Sequence, residues 1–271
     1  MRLKIPFGIA QIGKAFRNEI VARNFIFRTR EFEQMEIEFF VNPKDSDFWF
    51  DSFESKYVNF LSLLGIKGKS FKVVDIAKDE LAHYSDKTID FLYEFPFGWE
   101  ELLGIANRTN FDLKSHEKGS GQKMEYIDPH TRERYIPHVI EPSVGVERLM
   151  LAVFCESYEV EPLEDNDSRV VMNLPFEIAP YQIAVLPLTN KLDEKANEVV
   201  SDLLKDTNFR ITYDKSGSIG KRYRRQDSIG TNFCITVDFQ TLEDETVTIR
   251  DRDTMEQKRI NVNDISNLLR K

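Results

Sequence analysis

Between residues 15 and 40 the chain reads AFRNEIVARNFIFRTREFEQMEIEFF, with arginines and glutamates set among aromatic rings. Guanidiniums match phosphate oxygens in bidentate fashion, an aromatic ring stacks on a base, and a carboxylate accepts from an exocyclic amine or an ammonium. That inventory suits a nucleotide and a small ammonium-bearing ligand seated together. Read as a strand from Ala15 to Ile20, the stretch puts Arg17 and Glu19 on one face and Phe16, Asn18 and Ile20 on the other. Further on, Met35, Ile37, Phe39 and Val41 form an apolar face, with Phe32, Gln34, Glu36 and Glu38 opposite. An antiparallel hairpin is predicted, with one buried side and one side carrying Arg17, Glu19, Phe32, Gln34 and Glu36. Its connection, roughly 21–31, adds Arg23, Arg28 and Arg30. The bland alternative is a wet sheet face whose ion pairs contribute only about 0–1 kcal/mol each.

Two further stretches carry charge in informative places. In HVIEPSVGVERLMLAVF, residues 139–143 read as a strand end, and Val146, Leu149, Met150, Val153 and Phe154 mark a buried helix. Arg148 then falls in the first helical turn, where the macrodipole disfavours a cation and a bound anion, or a carboxylate partner, would relieve the conflict. GKRYRRQDSIG, residues 220–230, gathers Lys221, Arg222, Arg224 and Arg225 around Tyr223. Such a cluster grips backbone phosphates or stacks a base, or else is a solvated helix face.

The elements that must position these residues fall into two regions. In the first, Phe53, Tyr57, Phe60 and Leu64 recur at helical spacing and Gly65 ends the pattern. A polar, acidic stretch, EVEPLEDNDSR, separates this region, expected over 1–162, from a second expected over 178–271. The second region reads as strand 181–188, helix 192–205 with Leu192, Ala196, Val199, Val200 and Leu203 on one stripe, strand FRITYD, the basic helix, strand NFCITVDF, a hairpin, and a last short helix near Asn263 or Asp264. Alternating strands and helices imply a mostly parallel sheet with an antiparallel edge.

Composition sets the limits. The 271 residues are 41% hydrophobic and 31% charged, enough to bury cores in two domains, and the net charge of −9 excludes a generally cationic nucleic-acid coat. No apolar run approaches the roughly 20 residues of a membrane span, and no signal-peptide pattern opens the chain, so a cytoplasmic location is expected. Cys155 and Cys234 are read as reduced core thiols, and His83, His116, His130 and His138 as packing or surface residues, since their spacing is not that of a zinc site.

Taken together, FRNEI with FRTREFEQMEIEFF, then FGWEELLGIANRTNFDL, VIEPSVGVERLMLA and GSIGKRYRRQDSIGTNFCITVDF, resemble the class II aminoacyl-tRNA synthetases, and among them the homodimeric glycyl-tRNA synthetases. The likeness covers nearly the whole chain. It implies an α+β fold: an antiparallel class II catalytic core with its second and third motifs, followed by an α/β anticodon-binding domain with a mixed sheet. It implies ATP and Mg2+, the amino acid glycine and tRNA(Gly) as partners, and no membrane. By resemblance, Arg17 and Arg148 are the catalytic arginines. ATP would lie against Arg17, Asn18, Glu19, Phe27, Arg28, Arg30, Phe32, Glu101, Leu102, Gly145 and Arg148, with Glu101 toward the metal. Glycine would lie against Phe32, Gln34, Glu36, Glu141 and Ser143, and the anticodon stem-loop against Lys221, Arg222, Arg224 and Arg225. The family's first motif, which builds its dimer, and a segment resembling RPETAQG are expected ahead of Met1. The chain is therefore expected to be a C-terminal portion that activates glycine poorly by itself. A rival from another class, a non-catalytic nucleic-acid-binding chain like the accessory subunit of mitochondrial DNA polymerase, predicts eroded motifs. Synthetases for threonine, proline or histidine share similar anticodon domains, but Glu36, Glu141 and the FGWEELLGIANRTNFDL segment favour glycine.

Overall fold

The computed structural model describes residues 3–206 and 208–269. The chain divides after Cys155 into two units. In the first, chain order gives β1 (Phe7–Phe16), β2 (Glu31–Val41), α1 (Ser46–Leu63), β3 (Phe71–Asp75), β4 (Lys87–Phe95), β5 (Gly98–Thr109), α2 (Phe111–Ser120), the short pair β6 (Tyr126–Ile127) and β7 (Arg134–Tyr135), β8 (His138–Gly145), and α3 (Val146–Ser157). Six strands form one sheet in the order β1-β2-β8-β5-β4-β3, antiparallel throughout.

The register makes this sheet two-faced. Phe39 packs on α1, its ring centroid 4.9 Å from Trp49 and 5.1 Å from Phe53, so the Met35–Val41 parity is the core side as expected. Ile89, Phe91, Leu103, Ile105, Ile140 and Val144 are buried. The alternate residues, among them Gln34, Glu36, Glu141 and Ser143, therefore stand on the other face. Helix α1 buries Phe50, Phe53 and Leu61 and is followed by Gly65 at φ 89°, a left-handed position that glycine adopts without a Cβ penalty.

The hairpin differs from the expected one at its tip. β1 stops at Phe16, so Arg17, Asn18 and Glu19 lie in the connection rather than in a strand. The Arg17 N–H still bonds the Arg30 carbonyl at 3.0 Å, and beyond it the backbone pairs again at the Arg23–Arg28 bridge, with side-chain bonds from Arg28 and Arg30 to Glu19 between them. Asn24 and Phe25 turn the chain at φ 59° and 55°. The loop, not strand parity, aims Arg17 and Glu19.

The second unit contains the hairpin β9 (Tyr158–Pro162) and β10 (Ser168–Met172), then β11 (Ile183–Pro187), α4 (Asp193–Asp206), β12 (Ile211–Tyr213), α5 (Ile219–Ile229), β13 (Phe233–Val237), α6 (Thr241–Asp244), β14 (Thr246–Asp251), β15 (Gln257–Asn261) and α7 (Ile265–Leu269). The division comes earlier than the expected 162 because β9 is zipped to β10, which goes with the second unit. The five-stranded sheet runs β12-β11-β13-β14-β15, parallel on both sides of β11 and antiparallel across β14. It is mixed in equal parts. Ala196, Val199 and Leu203 of α4 pack with Ile183, Val185, Ile235 and Val237 in its core, as the helical stripe predicts. Cys234 is buried and Cys155 partly so. Among the described residues no helix is long and apolar enough to cross a membrane.

Candidate functional site

Above the face of the first sheet opposite α1 opens a cleft. Arg17, Glu19, Phe27, Arg28, Phe32, Gln34, Glu101, Leu102, Ser143, Gly145 and Arg148 line it, so eleven of the expected nucleotide and amino-acid contacts converge. They come from the hairpin connection, β2, β5, the end of β8 and the first turn of α3.

The cations in the cleft are held in place but not buried away. Arg28 Nη1 donates to Glu19 Oε2 at 3.2 Å, and Arg30 Nε donates to the Glu19 carbonyl at 3.1 Å. The Arg17 guanidinium sits 5.3 Å from the centroid of the Phe32 ring. Arg148 lies 4.4 Å from the Phe27 ring centroid and donates to the carbonyls of Phe27 and Glu101 at 3.2 and 3.0 Å. Its Nη1 also meets Glu101 Oε2 at 3.4 Å, so a distant carboxylate partly offsets the helix-dipole conflict at its position. Phe27 itself is buried, edge-on to Phe95 and Phe97 at 5.0 and 5.2 Å. It walls the cleft and props Arg148.

At the other end a short polar chain crosses the sheet floor. Gln34 Nε2 donates to Ser143 Oγ at 2.7 Å, and the Ser143 hydroxyl donates to Glu36 Oε1 at 3.3 Å. Glu36 and Ser143 are direct partners in register, as are Gln34 and Gly145.

Asn18, Arg30, Glu36 and Glu141 do not line the cleft. Glu36 reaches it only through Ser143. Glu141 is instead tied to Arg108 Nη1 at 2.6 Å. Arg108 is held in turn by two bonds to Asp112, at 2.7 and 2.8 Å, and lies 3.9 Å from the Tyr84 ring centroid. The Asp112 hydrogen bond holds the Arg108 guanidinium well above its ordinary value, and the reciprocal bond lowers Asp112. At Glu141 burial outweighs the attraction of Arg108, so its carboxyl is raised. Glu38, nearby, is pushed up to about 7 by burial and then by repulsion from Glu141.

Sequence reasoning passed over four lining residues, Ile26, Thr29, Val144 and Glu147. Glu147 accepts from the Glu33 N–H at 2.9 and 3.0 Å, tying β2 to the start of α3. An acidic residue in a first helical turn is the signal that marks it. Arg108 was also missed, although it lies inside the quoted stretch FGWEELLGIANRTNFDL.

In the second unit the basic helix is not one surface. Arg222 is buried, only 3% exposed, and its guanidinium donates to the carbonyls of Pro187 and Gly217. Its placement among expected anticodon contacts is therefore corrected: it caps carbonyls inside the unit. Arg224 pairs with Asp167 at 2.6 Å and Arg225 with Asp214 at 2.7 Å, both on the surface, and Lys221 is exposed. Asp227, three residues on from Arg224 along α5, is buried between Arg169 and Arg250 at 3.2 and 2.8 Å. That network is structural.

The first unit is thus an antiparallel sheet carrying an arginine-rich hairpin, with α3 following β8. Residues 2–158 match the tRNA synthetase class II core domain (G, H, P, S and T), and the chain belongs to that family. Residues 182–271 match an anticodon binding domain. A relative from Mycoplasmopsis synoviae named glycine–tRNA ligase is 55% identical over 269 residues, 99% of this chain and 59% of its own length. Relatives of the same name from Malacoplasma penetrans and Bacillus cereus are 56% and 54% identical, over 97% and 100% of this chain and 57% and 58% of theirs. The chain thus spans about three fifths of the length of the curated relatives it matches.

Proposed function

We propose that this chain carries the ATP and glycine sites of a glycine–tRNA ligase, which condenses glycine with ATP to glycyl-adenylate and transfers the glycyl group to tRNA(Gly). The convergence of Arg17, Glu19, Arg28, Phe32 and Arg148 in one cleft, beside the Gln34–Ser143–Glu36 chain, carries this reading. Arg17 holds the α-phosphate and the charge that develops when the glycine carboxylate attacks phosphorus. Phe32 stacks the adenine, Glu19 accepts from its amino group, and Arg28 and Arg148 take the distal phosphates once nucleotide oxygens replace Glu19 and Glu101 as their partners. No protein nucleophile is needed: fixed guanidiniums stabilise charge that positioning brings together. Glycine's ammonium lies toward Ser143 and Glu36.

Mg2+ is usually bound by one or two carboxylates together with substrate phosphates, whereas a protein cage needs more donors. Glu101 stands half-exposed at the cleft rim, and among the described residues no group of three acidic, histidine or cysteine side chains converges. That donor set fits magnesium arriving with ATP, where it would neutralise phosphate charge; Glu101 would be its protein ligand. In the second unit, Lys221, Arg224 and Arg225 meet the tRNA anticodon stem-loop, supported by their exposure on one helix. The whole enzyme is a homodimer acting in the cytoplasm.

The test is binding. Titrated calorimetrically with MgATP, the chain should give a saturable heat that Arg17→Ala and Phe32→Ala each weaken about tenfold or more, in line with losing a charge-assisted contact or a stacked base. Unchanged affinity in both variants would sink the nucleotide assignment.

A further inference from the structure

One row of partners crosses the first sheet without interruption. Val74 on β3, Asp90 on β4, Gly104 on β5, Ser143 on β8, Glu36 on β2 and Gln11 on β1 stand opposite one another in register. Directly opposed residues in an antiparallel sheet project from the same face. The Asp90 carboxylate therefore shares the cleft side of the sheet with Ser143 and Glu36, while its chain neighbours Ile89 and Phe91 are buried in the core.

Gly104 separates the acid from the hydroxyl. A Cβ built there would lie 3.1 Å from Asp90 Oδ1, so the carboxylate already leans across the glycine toward the Ser143 strand. Neighbouring strands are about 4.8 Å apart. A cationic centre resting over Gly104 would thus meet Asp90 on one side and Ser143 on the other, with Glu36 one strand beyond. Among the described residues no hydrogen-bond donor or cation reaches the Asp90 carboxylate. Burial, followed by repulsion from Glu101, pushes it up to about 6. A half-buried carboxylate without donors is unfavourable as an anion until a cation arrives.

We propose that Asp90 directly accepts the ammonium group of the amino-acid substrate, and that Gly104 is bare because a side chain there would fill the seat between Asp90 and Ser143. This assignment rests on the cleft being an ATP and glycine site. It extends the amino-acid end from β2 and β8 across the central strand to β4. Its ligand class is a small primary ammonium: a phosphate would be repelled by Asp90, Glu101 and Glu36, and a bulky group would strike the floor beside Gly104.

Glycine and MgATP affinities of the full chain, measured separately by equilibrium dialysis with labelled ligands, test it. Asp90→Asn, which keeps the shape and removes the charge, is expected to weaken glycine at least tenfold and to leave MgATP within about twofold, the loss appropriate to a charge-assisted hydrogen bond. Gly104→Ala should show the same selective loss. Glycine binding by Asp90→Asn equal to that of the unsubstituted chain would overturn the assignment while leaving the nucleotide reading intact. A parallel loss of MgATP affinity would overturn it too, since Asp90 would then be holding the fold. If the unsubstituted chain took up MgATP but no glycine, the amino-acid half of the functional reading would fall together with this inference.

Discussion

Arg108→Met is expected to be the most damaging single change on the ligand face of the first sheet. Arg108 has three acceptor contacts, two to Asp112 and one to Glu141, and packs on Tyr84. Its side chain is 17% exposed and that of Glu141 15%. Methionine preserves most of the stem but takes the guanidinium charge away from Glu141, Asp112, Glu36 and Glu38. Removing one partner of a buried pair costs about 3–5 kcal/mol, and the residual exposure places this site near the lower end, about 3 kcal/mol. Glu141→Gln removes the stranded charge, so Arg108→Met in that background should cost at least about 1 kcal/mol less. Urea unfolding followed by tryptophan fluorescence measures both, because the chain's two tryptophans, Trp49 and Trp99, lie in the first unit and report on it alone. A cost below about 1 kcal/mol, or additivity of the two changes within about 0.5 kcal/mol, would show that Arg108 does not hold Glu141 energetically.

Four other outcomes follow from the charges. Glu38 binds a proton in the folded state that the unfolded chain has released between its ordinary 4.5 and about 7, so stability should fall as pH rises through that window. Glu38→Gln should remove that slope, worth roughly 1–2 kcal/mol after allowance for partial solvation, as read from unfolding curves at pH 5 and 7.5. Arg222→Ala should destabilise the second unit by about 2–3 kcal/mol by stranding the Pro187 and Gly217 carbonyls. Replacing Lys221, Arg224 and Arg225 together should instead leave its melting nearly unchanged while weakening tRNA binding and flattening its salt dependence; an unaltered salt slope would count against the anticodon assignment. Asp227→Ala leaves Arg169 and Arg250 buried without their shared counter-charge, and thermal melting should register a loss of about 3–5 kcal/mol.

The strands and helices of both units were legible as pattern. Period-2 alternation in Met35–Val41 and the stripe from Leu192 to Leu203 are local properties that a core then selects, so the elements and their buried faces could be read before any fold was known. So could the kinds of chemistry: arginines, carboxylates and an aromatic ring spaced along one hairpin.

Direction and partnership were not legible. The hairpin stops pairing just after Arg17, so the loop rather than strand parity aims Arg17 and Glu19. Arg222 and Arg224 are two residues apart on one helix, yet one is capped by backbone carbonyls inside and the other is on the surface, because which side of α5 meets the sheet is decided by the other elements. Most of all, the row from Asp90 through Gly104 and Ser143 to Glu36 joins four strands that are distant in sequence. Composition and spacing determined that a face carrying arginines, carboxylates and an aromatic ring was available in this chain. Only strand order and register, fixed by burying the opposite face, decided which carboxylates look into it and which is held away by Arg108.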